Sequence, residues 1–155
     1  MQSISETSVK DWEFFTRLNG DSVFYTCKFA LPFMRNGGSI IITSSLVGMI
    51  GQPNSAAYVY AKAGIIGLAK GMAIDLAPRG ITVNAIAPGD VNTPLYDKWF
   101  KDHPEGTPKA EIENKIPLKR FAEPSEIADA VVLLSKSYIT GQVIPIDGGK
   151  SLGTY

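Results

Sequence analysis

The stretch Ser39-Ile-Ile-Ile-Thr-Ser-Ser45 decides the fold, because three consecutive isoleucines make a short apolar run of β-branched residues. Such a run predicts a strand that is buried on both faces. Residues 81–87 and 143–146 form two further apolar runs, and a helical pattern separates each run from the next. Parallel strands need crossover connections of this kind. The sequence therefore predicts an α/β fold with a doubly wound parallel sheet and helices on both of its faces.

Three helices are predicted around these strands. Ser8 followed by Asp11 is a capping-box pattern, which opens a helix that continues through Trp12 to about residue 33. Residues 56–77 predict a long second helix that Pro78 and Gly80 terminate. A third helix begins at Pro124 and ends near residue 135.

The segment from about residue 90 to residue 120 carries much charge and shows no clean helical or strand period. We therefore expect it to be a mobile lid beside the sheet. A chain of 155 residues has the length of one domain. We expect residues 1–155 to form a single domain that includes this lid.

The composition excludes several classes of protein. Lysine and arginine total 15, and aspartate and glutamate also total 15, so the net charge is zero. The sequence therefore lacks the excess of positive charge that is typical of a nucleic-acid binder. No apolar run approaches the ~18 residues of a membrane span, and residues 1–10 do not resemble a signal peptide. Cys27 is the only cysteine, which excludes an internal disulfide and a cysteine-based zinc site. We expect a cytoplasmic protein without nucleic-acid, membrane or metal partners.

The residues that follow the strands are the first place to look for chemistry, because ligands of parallel α/β sheets bind beyond the carboxyl ends of the strands. Ser45 follows the first strand, and Tyr58 and Lys62 lie one turn apart on the same face of the long helix. A neighbouring ammonium favours the charged form of a phenol, which suits the pair to proton transfer. A packed aromatic ring beside a surface lysine gives the same pattern, and these two residues alone do not decide between the interpretations.

The surroundings of this pair resemble the short-chain dehydrogenase/reductase family. Ser45 precedes Tyr58 by thirteen positions, which is the spacing of that family's serine and tyrosine. The matching stretches run over nearly the whole chain: Trp12 with Asn19, Gly-Ser-Ile-Ile-Ile-Thr-Ser-Ser at 38–45, Tyr58-x-x-x-Lys62, Asn84-Ala-Ile-Ala-Pro-Gly89, Ile116-Pro-Leu-Lys-Arg-Phe, and Asp147-Gly-Gly. The resemblance implies a partial Rossmann-like sheet of about three C-terminal strands with flanking helices.

The resemblance also implies catalytic roles for four residues. Tyr58 would be the general acid or base that exchanges a proton with the substrate oxygen. Lys62 would support Tyr58 and bind the nicotinamide ribose, and Ser45 would orient the substrate oxygen. Asn19 would hold the water that links Lys62 to solvent. For Ser44 we expect only an ordinary hydroxyl at the end of a strand.

The cofactor that the resemblance implies is NAD or NADP. Tyr58 and Lys62 would contact its nicotinamide end. Four positions after the second strand would contact the same end: Pro88, Gly89, Val91 through its backbone, and Thr93. A dinucleotide also needs a glycine-rich turn for its pyrophosphate, and the fifteen glycines include neither Gly-x-Gly-x-x-Gly nor Gly-x-x-x-Gly-x-Gly. Compared with the family, the chain is a C-terminal portion that lacks the N-terminal half of the cofactor site.

Two expectations follow for packing and assembly. Without an inner neighbour, the strand at 39–43 would have an unpaired edge. The helix at 56–77 is apolar nearly all round, which indicates burial on more than one side. Its Gly64, Gly67 and Gly71 face away from Tyr58, and they indicate either close packing on the chain's own sheet or a subunit interface. The family resemblance favours a homo-oligomer through the helices at 8–33 and 56–77.

The sequence thus favours an oxidoreductase that interconverts a secondary alcohol and a ketone with NAD or NADP. The substrate stays open, since small polyols, cyclic ketones and 3-oxoacyl thioesters all suit the family. The alternative is a truncated, catalytically inactive remnant that at most associates with an intact relative. Asn19, Ser45, Tyr58 and Lys62 favour the enzyme, and the missing glycine-rich turn favours the remnant.

Overall fold

The computed structural model describes residues 2–136 and 138–153 and contains one parallel sheet. Its strands are β1 (Ser39–Thr43), β2 (Thr82–Pro88) and β3 (Val143–Ile146), and they lie in the order β1-β2-β3. In the register, Ser39 pairs with Thr82 and Ala85 pairs with Val143. The predicted doubly wound α/β fold is therefore confirmed, and the three predicted strands are confirmed within one residue.

Seven α-helices surround the sheet in the described residues: α1 (Val9–Thr16), α2 (Ser22–Ala30), α3 (Val47–Ile50), α4 (Ala56–Leu76), α5 (Pro94–Asp102), α6 (Lys109–Asn114) and α7 (Pro124–Ser135). A π-helix joins α1 to α2 at Arg17–Asp21, and 3₁₀ turns lie at Leu31–Phe33, Ala77–Arg79 and Lys150–Leu152. None of the helices in the described part of the chain is long and apolar enough to cross a membrane.

The first predicted helix is present but is not continuous. Ser8 caps it as expected, since the Ser8 hydroxyl accepts a hydrogen bond from the Asp11 amide at 3.1 Å. At Arg17–Asp21 the helix widens into a π-turn, where the Ser22 amide bonds to the Arg17 carbonyl five residues earlier. Such turns insert one residue into an α-helix and occur often at functional sites.

Helix α4 buries one stripe only. Its buried residues are small or aliphatic and fall every three or four positions: Ala57, Ala61, Ile65, Ala69, Ala73 and Leu76. The expected burial on further sides is absent from the described residues. A Cβ added at Gly64, Gly67 or Gly71 would have no atom within 4 Å, so the hypothesis that these glycines pack on the chain's own sheet is wrong.

Strand β1 is the edge of the sheet, as predicted, because β2 is its one ladder partner among the described residues. Ile42 is buried, while the other residues of β1 are half-buried or exposed, so burial on both faces is wrong for most of the strand. The cause is the open edge, where α2 and β1 line a groove of about 400 Å³.

The lid segment contains α5 and α6, which the sequence analysis did not predict. Its base is fastened to the body of the protein, because Val91 and Ala122 form an isolated parallel bridge. The aromatic rings of Tyr96 and Phe100 on α5 pack against Phe121, with centroids 5.0 and 6.4 Å away. Two rings that lie four residues apart therefore hold the apolar face of α5, and no long periodic pattern in the sequence is involved.

Candidate active site

The end of β1 is tied to the middle of α4 at Lys62. The Ser44 hydroxyl donates a hydrogen bond of 2.8 Å to the Lys62 carbonyl, and Lys62 Nζ donates one of 3.2 Å to the Thr43 carbonyl. Ser44 is buried, so its bond is shielded from water. Ser45, which follows directly, is thereby held beside the turn of α4 that carries Lys62.

The turn after Ser45 lies unusually close to α4. A Cβ on Gly48 would come within 2.8 Å of the Lys62 carbonyl carbon and 3.0 Å of the Ala63 nitrogen. Only glycine allows the two backbones to approach this closely. The Gly48 amide also donates to the Ser45 carbonyl at 3.0 Å, so the position of Ser45 depends on this contact.

Tyr58 and Lys62 form a pair on one face of α4. The Lys62 ammonium lies 5.7 Å from the centroid of the Tyr58 ring, which is a cation–π distance. Burial lowers the pKa of Lys62, because desolvation disfavours the charged ammonium. Both side chains are half-buried. An electrostatic interaction between the ammonium and the phenol is stronger at such a site than in bulk water.

Asn19 lies in the π-turn, on the side of the molecule where α4 passes. The adjacent Gly20 would place a Cβ 3.7 Å from the Ala61 Cβ, so the π-turn touches α4 one residue before Lys62. The Asn19 side-chain amide donates to the Phe15 carbonyl at 3.2 Å. The structure therefore brings the backbone of Asn19 to the neighbourhood of Lys62, while its side chain is engaged within its own helix.

The ends of β2 and β3 complete this edge of the sheet. The Pro88 carbonyl accepts a hydrogen bond from the Leu46 amide at 2.9 Å, and the Gly89 amide donates to Ile146 at 3.0 Å. A Cβ on Gly89 would lie 3.0 Å from the Cα of Asp147, so the two strand ends are in close contact. Pro88 and Gly89 are thus fixed next to the loop that carries Ser45.

Val91 presents its backbone at the same edge. Asp90 and Asn92, its neighbours, direct their backbone bonds to Ala122 at 3.0 and 2.8 Å. The Val91 amide and carbonyl point the other way and have no hydrogen-bond partner within the described residues. Thr93 follows at the cap of α5, and its hydroxyl makes no capping bond.

An ion pair that the sequence analysis did not identify fastens the lid. Asp90, nearly buried, accepts 2.5 Å hydrogen bonds from the Tyr96 hydroxyl and from Lys150 Nζ. Burial, then the hydrogen bond to Asp90 and the charge of the Asp90 carboxylate, raise the pKa of Tyr96. Asp90 and Lys150 each follow a glycine just beyond the end of a strand. This shared position was the feature of the sequence that could have identified the pair.

The chain is similar to known proteins over most of its length. A family profile described as "Enoyl-(Acyl carrier protein) reductase" matches residues 1–151. The 3-oxoacyl-(acyl-carrier-protein) reductase FabG of Thermotoga maritima is 41% identical over 145 residues, which make up 90% of this chain. A short-chain dehydrogenase family protein of Francisella tularensis superposes with a TM-score of 0.90 at 34% identity and covers 97% of this chain. ElxO with NADP bound superposes with a TM-score of 0.87 at 31% identity, also over 97% of the chain.

The chain belongs to the short-chain dehydrogenase/reductase family. The predicted resemblance is confirmed at this level. The chain spans 57% of the length of the Thermotoga reductase, 66% of the Francisella structure and 62% of ElxO. The roles of the individual site residues stay predictions.

Proposed function

We propose that this chain carries the proton-transfer and substrate-orienting part of an NAD(P)-dependent oxidoreductase that interconverts a secondary alcohol and a ketone. The observation that supports this proposal most is the arrangement around Lys62. The ammonium faces the Tyr58 ring at 5.7 Å, and the hydrogen bonds of Ser44 and Lys62 hold the end of β1 against the same turn.

In the proposed mechanism, Tyr58 exchanges a proton with the oxygen of the substrate. The Lys62 ammonium stabilises the phenolate that forms when Tyr58 gives up its proton. The Ser45 hydroxyl holds the substrate oxygen in line with the phenol, which requires the fixed position that Gly48 allows. In the same mechanism Asn19 would hold the water that links Lys62 to solvent, since its neighbour Gly20 lies against Ala61, one residue before Lys62.

The residues beyond β2 fit the nicotinamide end of NAD or NADP. A carboxamide has an NH₂ group that donates and a carbonyl oxygen that accepts, and the unpaired carbonyl and amide of Val91 match these two groups. Lys62, Pro88, Gly89 and Thr93 would surround the adjoining ribose and ring. When bound, the cofactor would supply or accept the hydride.

The second candidate function is an inactive remnant that associates with an intact relative. One observation favours it: none of the glycines belongs to a glycine-rich turn of the kind that receives a pyrophosphate at a helix N-terminus. The nicotinamide contacts alone leave both phosphates without donors.

The proposed assembly is a homo-oligomer through α1, α2 and α4. A groove of about 430 Å³ lies between these helices, and its lining includes Phe24, Tyr60 and Leu68. Ile74, which is 77% exposed, continues the open glycine face of α4, and the exposed rings of Phe24 and Tyr60 line the groove together with Gly64. Apolar surface of this extent favours association.

Replacement of the phenol tests the proposed mechanism. Tyr58→Phe removes the transferable proton and keeps the ring, so turnover of a secondary alcohol with NAD or NADP should fall by roughly 10²-fold or more. The matched control is Tyr60→Phe, because Tyr60 lies on the same helix and its ring packs at a tilt against Trp12, with centroids 4.8 Å apart. Near-normal turnover by Tyr58→Phe, or an equal loss in Tyr60→Phe, would contradict the assigned role.

A further inference from the structure

Val91 lies between two residues whose side chains both contact helices of the lid, and the proposed mechanism gives neither residue a role. Asp90 and Asn92 bond to Ala122 through their backbones, at 3.0 and 2.8 Å, and so hold the bridge to which Val91 belongs. The side chain of each residue contacts a different lid helix. The backbone of Val91 is therefore joined to both α5 and α6 through its two neighbours.

The Asp90 carboxylate joins α5 to the turn after β3. It accepts hydrogen bonds from the Tyr96 hydroxyl on α5 and from Lys150 Nζ, both at 2.5 Å. The Asp90 side chain is only 9% exposed, so water has little access to replace a lost donor. Loss of either donor would therefore leave a nearly buried carboxylate short of a hydrogen bond, which is costly.

The Asn92 side chain joins the start of α6 to the start of α7. Its amide nitrogen donates to Glu123 at 2.6 Å, and its oxygen accepts from Lys109 Nζ at 2.8 Å. Lys109 is the first residue of α6, and Glu123 caps α7. Both hydrogen bonds are exposed to solvent, so each should contribute less than the bonds of Asp90.

The buried ring of Phe121 links these two contacts. The Tyr96 ring packs against it with a centroid distance of 5.0 Å, and the Lys109 ammonium lies 5.0 Å from its centroid. Phe121 directly precedes Ala122, which makes the backbone bonds to both neighbours of Val91. Displacement of α5 or α6 would therefore disturb the residue on which the bridge to Val91 depends.

We propose that Asp90 and Asn92 are positioning residues, which hold α5 and α6 and thereby fix the Val91 backbone for a carboxamide. The proposal rests on the proposed function, because that function assigns Val91 to the nicotinamide. Loss of a lid contact should open the two backbone bonds to Ala122 more often, whereas a carboxamide bound to Val91 should keep them closed.

Amide hydrogen exchange of the full chain, followed by NMR, tests the proposal. Tyr96→Phe removes the hydroxyl that donates to Asp90 and keeps the ring. Exchange of the Asn92 and Ala122 amides should then quicken about tenfold or more, because the lost bond ends on a charged group. Lys109→Met removes an exposed contact, and the expected increase at the same two amides is about threefold.

Three controls separate positioning from a general loss of stability. Lys115→Met is the matched variant, because Lys115 is an exposed lysine of the lid whose ion pair with Glu111 stays within the lid. It should exchange as the unchanged chain does, and so should Lys109→Arg, which can still donate to Asn92. The Ala85 amide, which bonds within the sheet, should exchange at the same rate in every variant.

Reduced nicotinamide mononucleotide is the probe for the link to the cofactor, since it carries the carboxamide without a pyrophosphate. Its affinity is measured by ligand-detected NMR. At a concentration of about ten times its dissociation constant, it should slow exchange of the Asn92 and Ala122 amides about tenfold.

Unchanged exchange of the Asn92 and Ala122 amides in both Tyr96→Phe and Lys109→Met would overturn the proposal. An equal increase at Ala85 would also overturn it, because it would indicate a loss of overall stability. Binding of the mononucleotide without slower exchange would overturn the link to the nicotinamide contact. Absence of mononucleotide binding, together with the expected effects of the variants, would support the positioning and contradict the proposed function.

Discussion

Replacement of Gly48 by alanine probes the contact that holds Ser45 against α4. The new methyl carbon would lie 2.8 Å from the Lys62 carbonyl carbon and 3.0 Å from the Ala63 nitrogen and the Lys62 Cβ. Ordinary contacts of a Cβ begin at 3.4 Å, so the turn must move away from the helix by about half an ångström. The obstructing atoms are mostly backbone atoms of α4, which cannot rotate aside.

The expected cost follows from two opposing effects. Overpacking of this kind destabilises by about 1–3 kcal/mol. Gly48 lies in helix α3, where alanine is compatible with the backbone, so reduced entropy of the unfolded chain returns about 0.4–1 kcal/mol. The free energy of unfolding should therefore fall by about 1–2 kcal/mol.

Urea denaturation measures this change as a lower midpoint with an unchanged slope. Gly71→Ala is the control with the opposite sign, because its methyl group enters open space on a helix and should stabilise by about 0.4–1 kcal/mol. A Gly48→Ala midpoint at or above that of the unchanged chain would refute the close-contact argument.

Three further predictions concern assembly, pH and cofactor. Gly67→Leu should place a bulky side chain in the proposed interface and shift sedimentation toward the monomer; a monomeric unchanged chain would exclude that interface. The hydrogen bond from Arg120 holds the pKa of the Glu126 carboxyl at about 2, below the usual 4.5. The contribution of the ionised Glu126 to stability is therefore complete above pH 4.5 and disappears as the pH falls toward 2. Urea midpoints should fall between pH 5 and 3, and Glu126→Gln should remove the share of this fall that Glu126 causes. An unchanged dependence of the midpoint on pH in Glu126→Gln would argue against this role. The 155-residue chain alone should bind NADH and NADPH with dissociation constants of ~1 mM or weaker in fluorescence titrations, whereas low-micromolar binding would show that the missing contacts are dispensable.

The sequence predicts the framework of the fold well, because that framework depends on local patterns. Ser39–Thr43 contains three consecutive isoleucines, and Thr82–Pro88 is mostly apolar over the length of one strand. The edge position of β1 was predicted from the expected lack of an inner neighbour, whereas the register of the sheet was not predicted.

Contacts between distant residues are what the sequence did not predict. The Asp90–Lys150 pair joins residues sixty positions apart, and the bond from Ser44 to Lys62 depends on how closely two elements approach. Neither has a local pattern, because each is decided by packing after the strands and helices have formed. The sequence analysis also did not predict that α4 is buried on one side only. The apolar composition of a helix does not tell whether the surface that covers it belongs to the same chain.

The π-turn at Arg17–Asp21 has a consequence for which residues of the first helix face the core. In an uninterrupted α-helix, Trp12 and Val23 would lie within about 20° of each other around the axis. The extra residue rotates α2 by roughly a quarter of a turn relative to α1. Trp12 can therefore pack against Tyr60 of α4 while Val23 and Cys27 pack against the core. Deletion of one residue from the turn would leave a smooth helix whose second half faces the wrong way, much as a shift of one residue reverses the faces of a strand.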